Sequence, residues 1–231
     1  MLELEGRRVE FAASLMCADF MHLGEELRQL QAAGIDRWHF DIMDGHFVPN
    51  LTMGPDILSA VRGHSPLPID VHLMVERPEE LVAAVAQAGA TRIYFHVEST
   101  RTPHRMASAI RDLGCEAGVA VNPATPWESL TTVLPLVEGV LFLCVDPGFA
   151  GQSLVPGIDR KIDHFVRHSA TPDLQLAADG HIDPKTAKRL VGLGVDGLVL
   201  GTASLFRRGV PFDVAMQALR GTLTGHEEDG R

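Results

Sequence analysis

The chain has 231 residues, of which 45% are apolar and 22% are charged, a composition typical of globular proteins and unlike that of a disordered, collagen-like or very small protein. Thirty acidic residues against twenty lysines and arginines give a formal charge of −10, which disfavours a surface that neutralises the phosphates of DNA or RNA. Charged residues interrupt the first ten positions, and no apolar run reaches the roughly 18 residues of a membrane helix. We therefore expect a cytoplasmic protein that binds neither nucleic acid nor membrane.

Short runs rich in Val, Ile and Phe alternate with longer segments of helical period, beginning with a predicted strand at 9–14 and a predicted helix at 21–33. Seven more predicted strands follow, at 37–42, 68–74, 92–97, 116–121, 140–145, 174–178 and 197–200. The helices predicted between and after them lie at 55–63, 78–88, 103–113, 127–136, 156–168, 183–193 and 211–222. This order indicates parallel strand–helix–strand units.

Eight such units without a linker or a shift in composition predict one α/β domain, a closed (β/α)₈ TIM barrel over residues 1–224. Barrels of this kind have about 250 residues, close to the length of this chain. A doubly wound open sheet is the alternative architecture. The polar segment 225–231 is expected to be a flexible tail.

The three cysteines, Cys17, Cys115 and Cys144, have no Cys-x-x-Cys spacing. We expect them to be buried thiols, forming neither a disulfide framework nor a zinc knuckle. A metal site would therefore use histidine and carboxylate side chains.

Four ionisable residues lie at the carboxyl ends of predicted strands, where a buried barrel strand should be apolar. His39 and Asp41 are two residues apart and therefore point to one face of their strand. His72 lies in the next predicted strand, and Asp179 begins the turn after the strand at 174–178. Each residue singly also fits a hydrogen-bonded core histidine or a helix cap. Together at one rim they suit a divalent metal.

Three glycine-rich loops follow the last predicted strands, at 146–152, 179–183 and 201–206. Loops at this end of a barrel often bind phosphate through backbone N–H groups that small residues leave open, although glycines also simply close tight turns. All three lysines fall within predicted helices, which disfavours Schiff-base chemistry.

Five motifs together resemble the ribulose-phosphate 3-epimerases and their allulose-6-phosphate 3-epimerase relatives over nearly the whole chain. They are SLMCADF (14–20), HFDIMDGHFVPNLTMGP (39–55), DVHLMV (70–75), VDPGFAGQ (145–152) and GTASLF (201–206). The resemblance implies a (β/α)₈ barrel that epimerises C3 of a ketose phosphate with the help of a metal.

The same resemblance assigns roles to individual residues. It implies metal ligands at His39, Asp41, His72 and Asp179, with Asp41 and Asp179 also acting as the two acid–base groups. The implied substrate-binding residues are Ser14, His72, Met43, Met74, Gly148, Phe149, Ala150, Gly151, Gly180, His181, Gly201 and Thr202. The chain departs from the family where AADGH at 177–181 replaces a usual Glu-Val-Asp-Gly-Gly stretch, and where Leu143 occupies a usual methionine position.

The leading hypothesis is an isomerase that interconverts D-ribulose 5-phosphate and D-xylulose 5-phosphate by proton transfer between two aspartates through a metal-stabilised enediolate. The alternative substrate pair is D-allulose 6-phosphate and D-fructose 6-phosphate, since Cys17 and the 146–151 loop are closer to that branch and 18–20 to the pentulose branch. A non-catalytic sugar-phosphate binder and a metal-dependent aldolase are the other classes considered. We expect one divalent metal, Zn²⁺ before Fe²⁺, Mn²⁺ or Co²⁺, no organic cofactor, and a homo-oligomer.

Overall fold

Eight parallel strands close into a barrel at the centre of the computed structural model, which describes residues 1–4, 6–169 and 174–225. A short strand, β1 (Leu2–Leu4), lies outside the barrel. The eight barrel strands are β2 (Arg7–Ser14), β3 (Arg37–Met43), β4 (Ile69–Met74), β5 (Arg92–His96), β6 (Glu116–Val121), β7 (Gly139–Leu143), β8 (Gln175–Asp179) and β9 (Gly197–Leu200). Neighbours in sequence are neighbours in the sheet, and parallel pairing of β2 with β9 closes the barrel. The predicted (β/α)₈ barrel is thereby confirmed.

Seven α-helices in the described residues cover the outside of the barrel. They are α1 (Leu23–Ala32), α2 (Pro55–His64), α3 (Val82–Gln87), α4 (Pro103–Asp112), α5 (Ile158–His168), α6 (Pro184–Leu193) and α7 (Phe212–Thr224). Large apolar side chains on the outer strand faces, such as Trp38 and Phe40, are fully buried beneath them. No helix among the described residues combines the length and apolarity that a bilayer span requires.

The sequence prediction was wrong in one helix and incomplete at two other places. The segment 127–136 forms two short 3₁₀-helices, Trp127–Leu130 and Leu134–Leu136, because Pro135 has no N–H to continue an α-helical ladder. A 3₁₀-turn, Pro78–Glu80, also replaces the start of the helix predicted at 78–88. β1 was not predicted and pairs antiparallel with β2 as a short hairpin.

The interior of the barrel is layered, and the layers place the site at one end. Buried charges close the amino-terminal end, where Arg37 bridges Glu10 at 2.8 Å and Asp70 at 3.0 Å. Above them lies an apolar layer of Ala12, Tyr94, Ala120, Leu141, Leu143, Ala177 and Val199. The carboxyl-terminal end remains open, as in other barrels of this class. Of the predicted tail, Gly225 ends α7, and 226–231 lie outside the described residues.

Candidate active site

Strand register brings three of the four predicted metal ligands together. His39, Asp41 and Met43 alternate along β3 with outward-facing residues, and therefore share its inner face. Asp41 lies directly opposite His72 of β4 in the parallel register. His39, Asp41 and His72 are each at most 1% exposed. Asp179 reaches the same place from the end of β8 and keeps 21% of its side chain exposed.

The candidate ligand atoms are spaced like a coordination shell. Oδ1 of Asp41 lies 3.2 Å from Nε2 of His39 and 3.1 Å from Nδ1 of His72. Oδ2 of Asp179 lies 3.9 Å from each of the same two nitrogens. A tetrahedral zinc site with bonds of about 2.05 Å has ligand atoms about 3.3 Å apart, so these four side chains need little adjustment to hold a divalent metal.

One nitrogen of the cluster has an unmet hydrogen-bonding capacity that a metal would satisfy. Nε2 of His39 is buried and, although 3.2 Å from Oδ1 of Asp41, makes no hydrogen bond of good geometry with any described residue, which is costly unless another group satisfies it. Coordination of a divalent cation would satisfy this nitrogen. The residues present therefore fit such a metal.

The electrostatics of the cluster indicate excess negative charge. Burial opposes protonation of His39, but the Asp41 and Asp179 carboxylates outweigh burial and raise the pKa of His39 to about 9. Burial would also raise the pKa of Asp41, but His39 and His72 hold it well below its usual range. Burial raises the pKa of Asp179 and lowers that of His72. A divalent cation would replace the proton on His39 and stabilise both carboxylates.

Two hydroxyl groups fix the position of Asp41. Oγ of Ser14 on β2 donates a hydrogen bond to Oδ2 of Asp41 at 2.9 Å, and Oγ1 of Thr52 donates to its backbone carbonyl at 2.6 Å. Thr52 also accepts a hydrogen bond from the backbone N–H of Met43. The carboxylate is consequently oriented by groups outside the candidate ligand set.

The predicted phosphate loops border the same cleft, which has a volume of about 590 Å³ including space open to solvent. Its lining includes the predicted substrate residues Ser14, Met43, Met74, Gly148, Phe149, Ala150, Gly151, Gly180, His181, Gly201 and Thr202. Gly180 has φ +102°, and a Cβ there would lie 2.6 Å from Cγ2 of Val145. Only glycine fits such a backbone without strain.

His181 is the one non-glycine residue of the described chain with a positive φ, at 52°. Its Nδ1 lies 2.8 Å from the backbone carbonyl of Gln152 and donates a hydrogen bond to it. This bond ties the loop after β8 to the loop after β7. The departure from glycine at this position therefore brings a contact that glycine could not make.

The floor of the cleft is apolar and sulfur-rich. Met43, Met74 and Met16 contribute to it, and Leu143 stands at the third predicted methionine position. Cys17 also lines the cleft and is half-buried, unlike the buried Cys115 and Cys144, and all three are free thiols. Burial raises the pKa of Cys17 to about 12, so its thiol is neutral.

Sequence reasoning missed two polar residues behind His72. His96, the last residue of β5, is fully buried with Nε2 at 2.9 Å from Nε2 of His72. Glu98 contacts the other nitrogen of His96. The signal was present, because His96 and Glu98 repeat the His-x-acid spacing of His39 and Asp41.

The barrel, the His₂Asp₂ cluster that could hold a divalent metal and the glycine-lined cleft are together typical of enzymes that act on sugar phosphates. The sequence profile described as "Ribulose-phosphate 3 epimerase family" matches residues 10–205. The chain belongs to the ribulose-phosphate 3-epimerase family, whose members are isomerases acting on carbohydrates. The family predicted from the motifs is confirmed.

Individual relatives agree with this assignment. The chain is 42% identical over 204 residues to ribulose-phosphate 3-epimerase 1 of Cupriavidus necator, covering 85% of this chain and 84% of that protein. It is 41% identical over 199 residues to ribulose-phosphate 3-epimerase of Treponema pallidum, covering 85% and 91%. The phosphoribosyl anthranilate isomerase structure from Thermus thermophilus aligns with a TM-score of 0.66 over 95% of this chain and all of that one, at 16% identity. The last similarity concerns the fold alone.

Proposed function

We propose that the chain interconverts D-ribulose 5-phosphate and D-xylulose 5-phosphate by inverting C3. The observation that carries the proposal is the convergence of Asp41 from β3 and Asp179 from β8 on one cluster beside the cleft. The names and identities of the relatives support the same reaction.

Inversion next to a ketone requires one group to remove the C3 proton and a second to return a proton to the other face. Asp41 and Asp179 come from strands on different sides of the barrel mouth, so they suit these two positions. In one direction Asp41 takes the proton and Asp179 supplies one, and the roles exchange in reverse. A bound divalent metal would polarise the ketose carbonyl and stabilise the negative charge that develops on its oxygen.

Other residues of the chain orient and enclose the substrate. Ser14 holds the Asp41 carboxylate through its 2.9 Å hydrogen bond. Met43 and Met74 provide an apolar surface that excludes water from the carbon undergoing inversion. We assign phosphate binding to the backbone N–H groups of the loops at Gly180 and Gly201, which line the cleft together with His181.

We propose Zn²⁺ as the metal, with Fe²⁺, Mn²⁺ and Co²⁺ as alternatives, because imidazole and carboxylate ligands in tetrahedral spacing suit all four. A cytoplasmic location and a homo-oligomeric state stay predictions, and so do the domain limits 1–224 and 225–231.

The test is a panel of ketose phosphates incubated with metal-loaded protein, before and after treatment with a chelator. The proposal expects conversion of D-ribulose 5-phosphate to D-xylulose 5-phosphate that the chelator abolishes. Faster turnover of D-allulose 6-phosphate would contradict the pentulose assignment, and release of a triose phosphate would indicate an aldolase. Absence of turnover on every member of the panel would overturn the proposal.

A further inference from the structure

A row of hydrogen-bonded side chains extends from the metal cluster into the barrel wall. Nδ1 of His72 faces the cluster, and its Nε2 lies 2.9 Å from Nε2 of His96. Nδ1 of His96 in turn lies 3.1 Å from Oε2 of Glu98, which belongs to the 3₁₀-helix Val97–Ser99. His72 and His96 are both fully buried, so water does not replace these contacts.

Proton positions along this row are coupled, since each contact needs one donor and one acceptor. The Glu98 carboxylate is an acceptor, which requires the proton of His96 to be on Nδ1. Nε2 of His96 is then an acceptor, so the proton of His72 must be on Nε2. Nδ1 of His72, which lies 3.1 Å from Oδ1 of Asp41, is left with a lone pair that a cation held between His72, Asp41 and Asp179 would satisfy.

The reversed arrangement gives Asp41 a donor but leaves Nδ1 of His72 no lone pair for a cation, so it is disfavoured whenever a cation occupies the cluster. If Nδ1 of His72 donated to Asp41, His96 would have to donate through its Nε2. Nδ1 of neutral His96 would then present a lone pair to the Glu98 carboxylate, and two acceptors would face each other in a buried site. An unmade buried hydrogen bond of this kind costs about 1–3 kcal/mol, and more with a charged group.

We propose that His96 and Glu98 are positioning residues that hold His72 in the tautomer able to bind a metal through Nδ1. The proposal rests on the proposed function in that it takes His72 to be a metal ligand. Metal-binding histidines commonly donate their second ring N–H to such a partner, and removal of the partner weakens metal binding about 10- to 100-fold.

Glu98 is itself fixed as an acceptor. Its Oε1 accepts a hydrogen bond of 2.8 Å from the backbone N–H of Asn122. Burial would raise the pKa of Glu98, but hydrogen bonds from His96, Thr125 and Asn122 hold it at about 2. The carboxylate is therefore ionised at neutral pH.

Packing holds the His96 ring between these partners. The ring centroid of Phe47 lies 4.7 Å from that of His96, and the hydroxyl of Ser99 donates to the His96 carbonyl at 2.8 Å. The ring is thus held by contacts that do not depend on the metal cluster.

The substitution Glu98→Gln tests the proposal because its outcome follows from the geometry. The Asn122 N–H selects the amide oxygen of the new side chain, which turns the amide NH₂ toward Nδ1 of His96. That NH₂ donates, so the row reverses and the proton of His72 moves to Nδ1, where it competes with a metal. We expect Co²⁺ affinity, measured by competition with a chelator, to fall about 10- to 100-fold.

Glu138→Gln is the matched control. This carboxylate also accepts a backbone hydrogen bond, from Ala117 at 2.8 Å, but it faces Arg111 and no histidine. Its Co²⁺ affinity should equal that of the unsubstituted protein. The visible absorption spectrum of bound Co²⁺ should change in Glu98→Gln and stay the same in Glu138→Gln.

Nitrogen-15 NMR of the histidines in the unsubstituted, Zn²⁺-loaded protein gives a second readout that does not depend on the folding of a variant. It should show His72 protonated at Nε2 and His96 protonated at Nδ1. The opposite tautomer, or equal Co²⁺ affinity in Glu98→Gln and the unsubstituted protein, would overturn the inference while leaving the proposed function intact. Failure of the unsubstituted protein to bind Co²⁺ would instead overturn the metal-dependent function.

Discussion

Replacement of Asp179 by Asn separates proton transfer from the other roles of the site. Asparagine has the same shape and keeps one oxygen toward the cluster, but it cannot accept and return a proton as a carboxylate does. The side chain is 21% exposed, and its backbone carbonyl still accepts the N–H of Cys144 at 2.7 Å. We therefore expect Asp179→Asn to fold with nearly unchanged stability.

The expected loss of turnover in Asp179→Asn follows from the role of Asp179 as an acid–base group. A positioned acid or base contributes about 10²- to 10⁴-fold to rate, so turnover should fall by that factor, equivalent to about 3–5 kcal/mol. Metal binding should weaken as well, because Asp179→Asn replaces an anionic ligand by a neutral amide. The assay must therefore use saturating metal, with the bound metal counted.

Turnover and exchange of the C3 proton with deuterated solvent should respond differently to Asp179→Asn. Inversion should be largely lost, while Asp41 continues to exchange the C3 proton of one epimer without inverting it. Asp163→Asn is the control and should keep full turnover, because Asp163 lies on α5, where it pairs with Arg167 at 2.8 Å and does not line the cleft. Wild-type turnover by folded, metal-loaded Asp179→Asn would refute the two-aspartate mechanism.

Three further predictions concern packing, pH and metal. Gly118→Ala should lower the free energy of unfolding in urea by about 1–3 kcal/mol, because its Cβ would lie 2.3 Å from a ring carbon of Tyr94 inside the barrel; an unchanged unfolding midpoint would contradict this packing. Burial raises the pKa of Asp196 to about 6, against the opposing hydrogen bond from the Leu176 N–H. Between the ordinary carboxyl pKa of 3.8 and pH about 6, the folded protein therefore binds more protons than the unfolded protein. The free energy of unfolding consequently falls as pH rises through this range. The Tm of the unsubstituted protein minus that of Asp196→Asn should therefore fall as pH rises from 3.8 to about 6. A constant difference would contradict the raised pKa of Asp196. Removal of metal by a chelator should abolish turnover and added Zn²⁺ should restore it, whereas full activity of verified metal-free protein would contradict metal dependence.

The barrel could be predicted because its strands are buried on both faces and its helices on one. Strands and helices therefore differ in the periodicity of their apolar residues, which distinguishes the eight strands in the sequence. The order of strands and helices along the chain then leaves few possible topologies. The helix predicted at 127–136 fails because hydrophobic spacing does not register the missing N–H of Pro135. β1 was missed because a three-residue edge hairpin has too short a pattern to distinguish from a loop.

The candidate ligands were predictable because charge on a buried strand is rare and must serve some contact. Their proximity follows from parallel register, in which Asp41 and His72 lie opposite each other. The link from His72 to His96 and Glu98 could not be derived in this way, because Glu98 lies beyond the end of β5 in a 3₁₀-turn. The direction of the Glu98 side chain depends on backbone angles that strand periodicity does not specify. The left-handed conformation of His181 was equally hidden, since only glycine signals such a position in a sequence.

The most direct test of the account is a crystal structure of the metal-loaded protein with a bound, unreactive analogue of the planar intermediate. The account predicts that the carboxylates of Asp41 and Asp179 lie within hydrogen-bonding distance of the carbon equivalent to C3, on opposite faces of the analogue. Both carboxylates on one face, or either one turned away from that carbon, would contradict it.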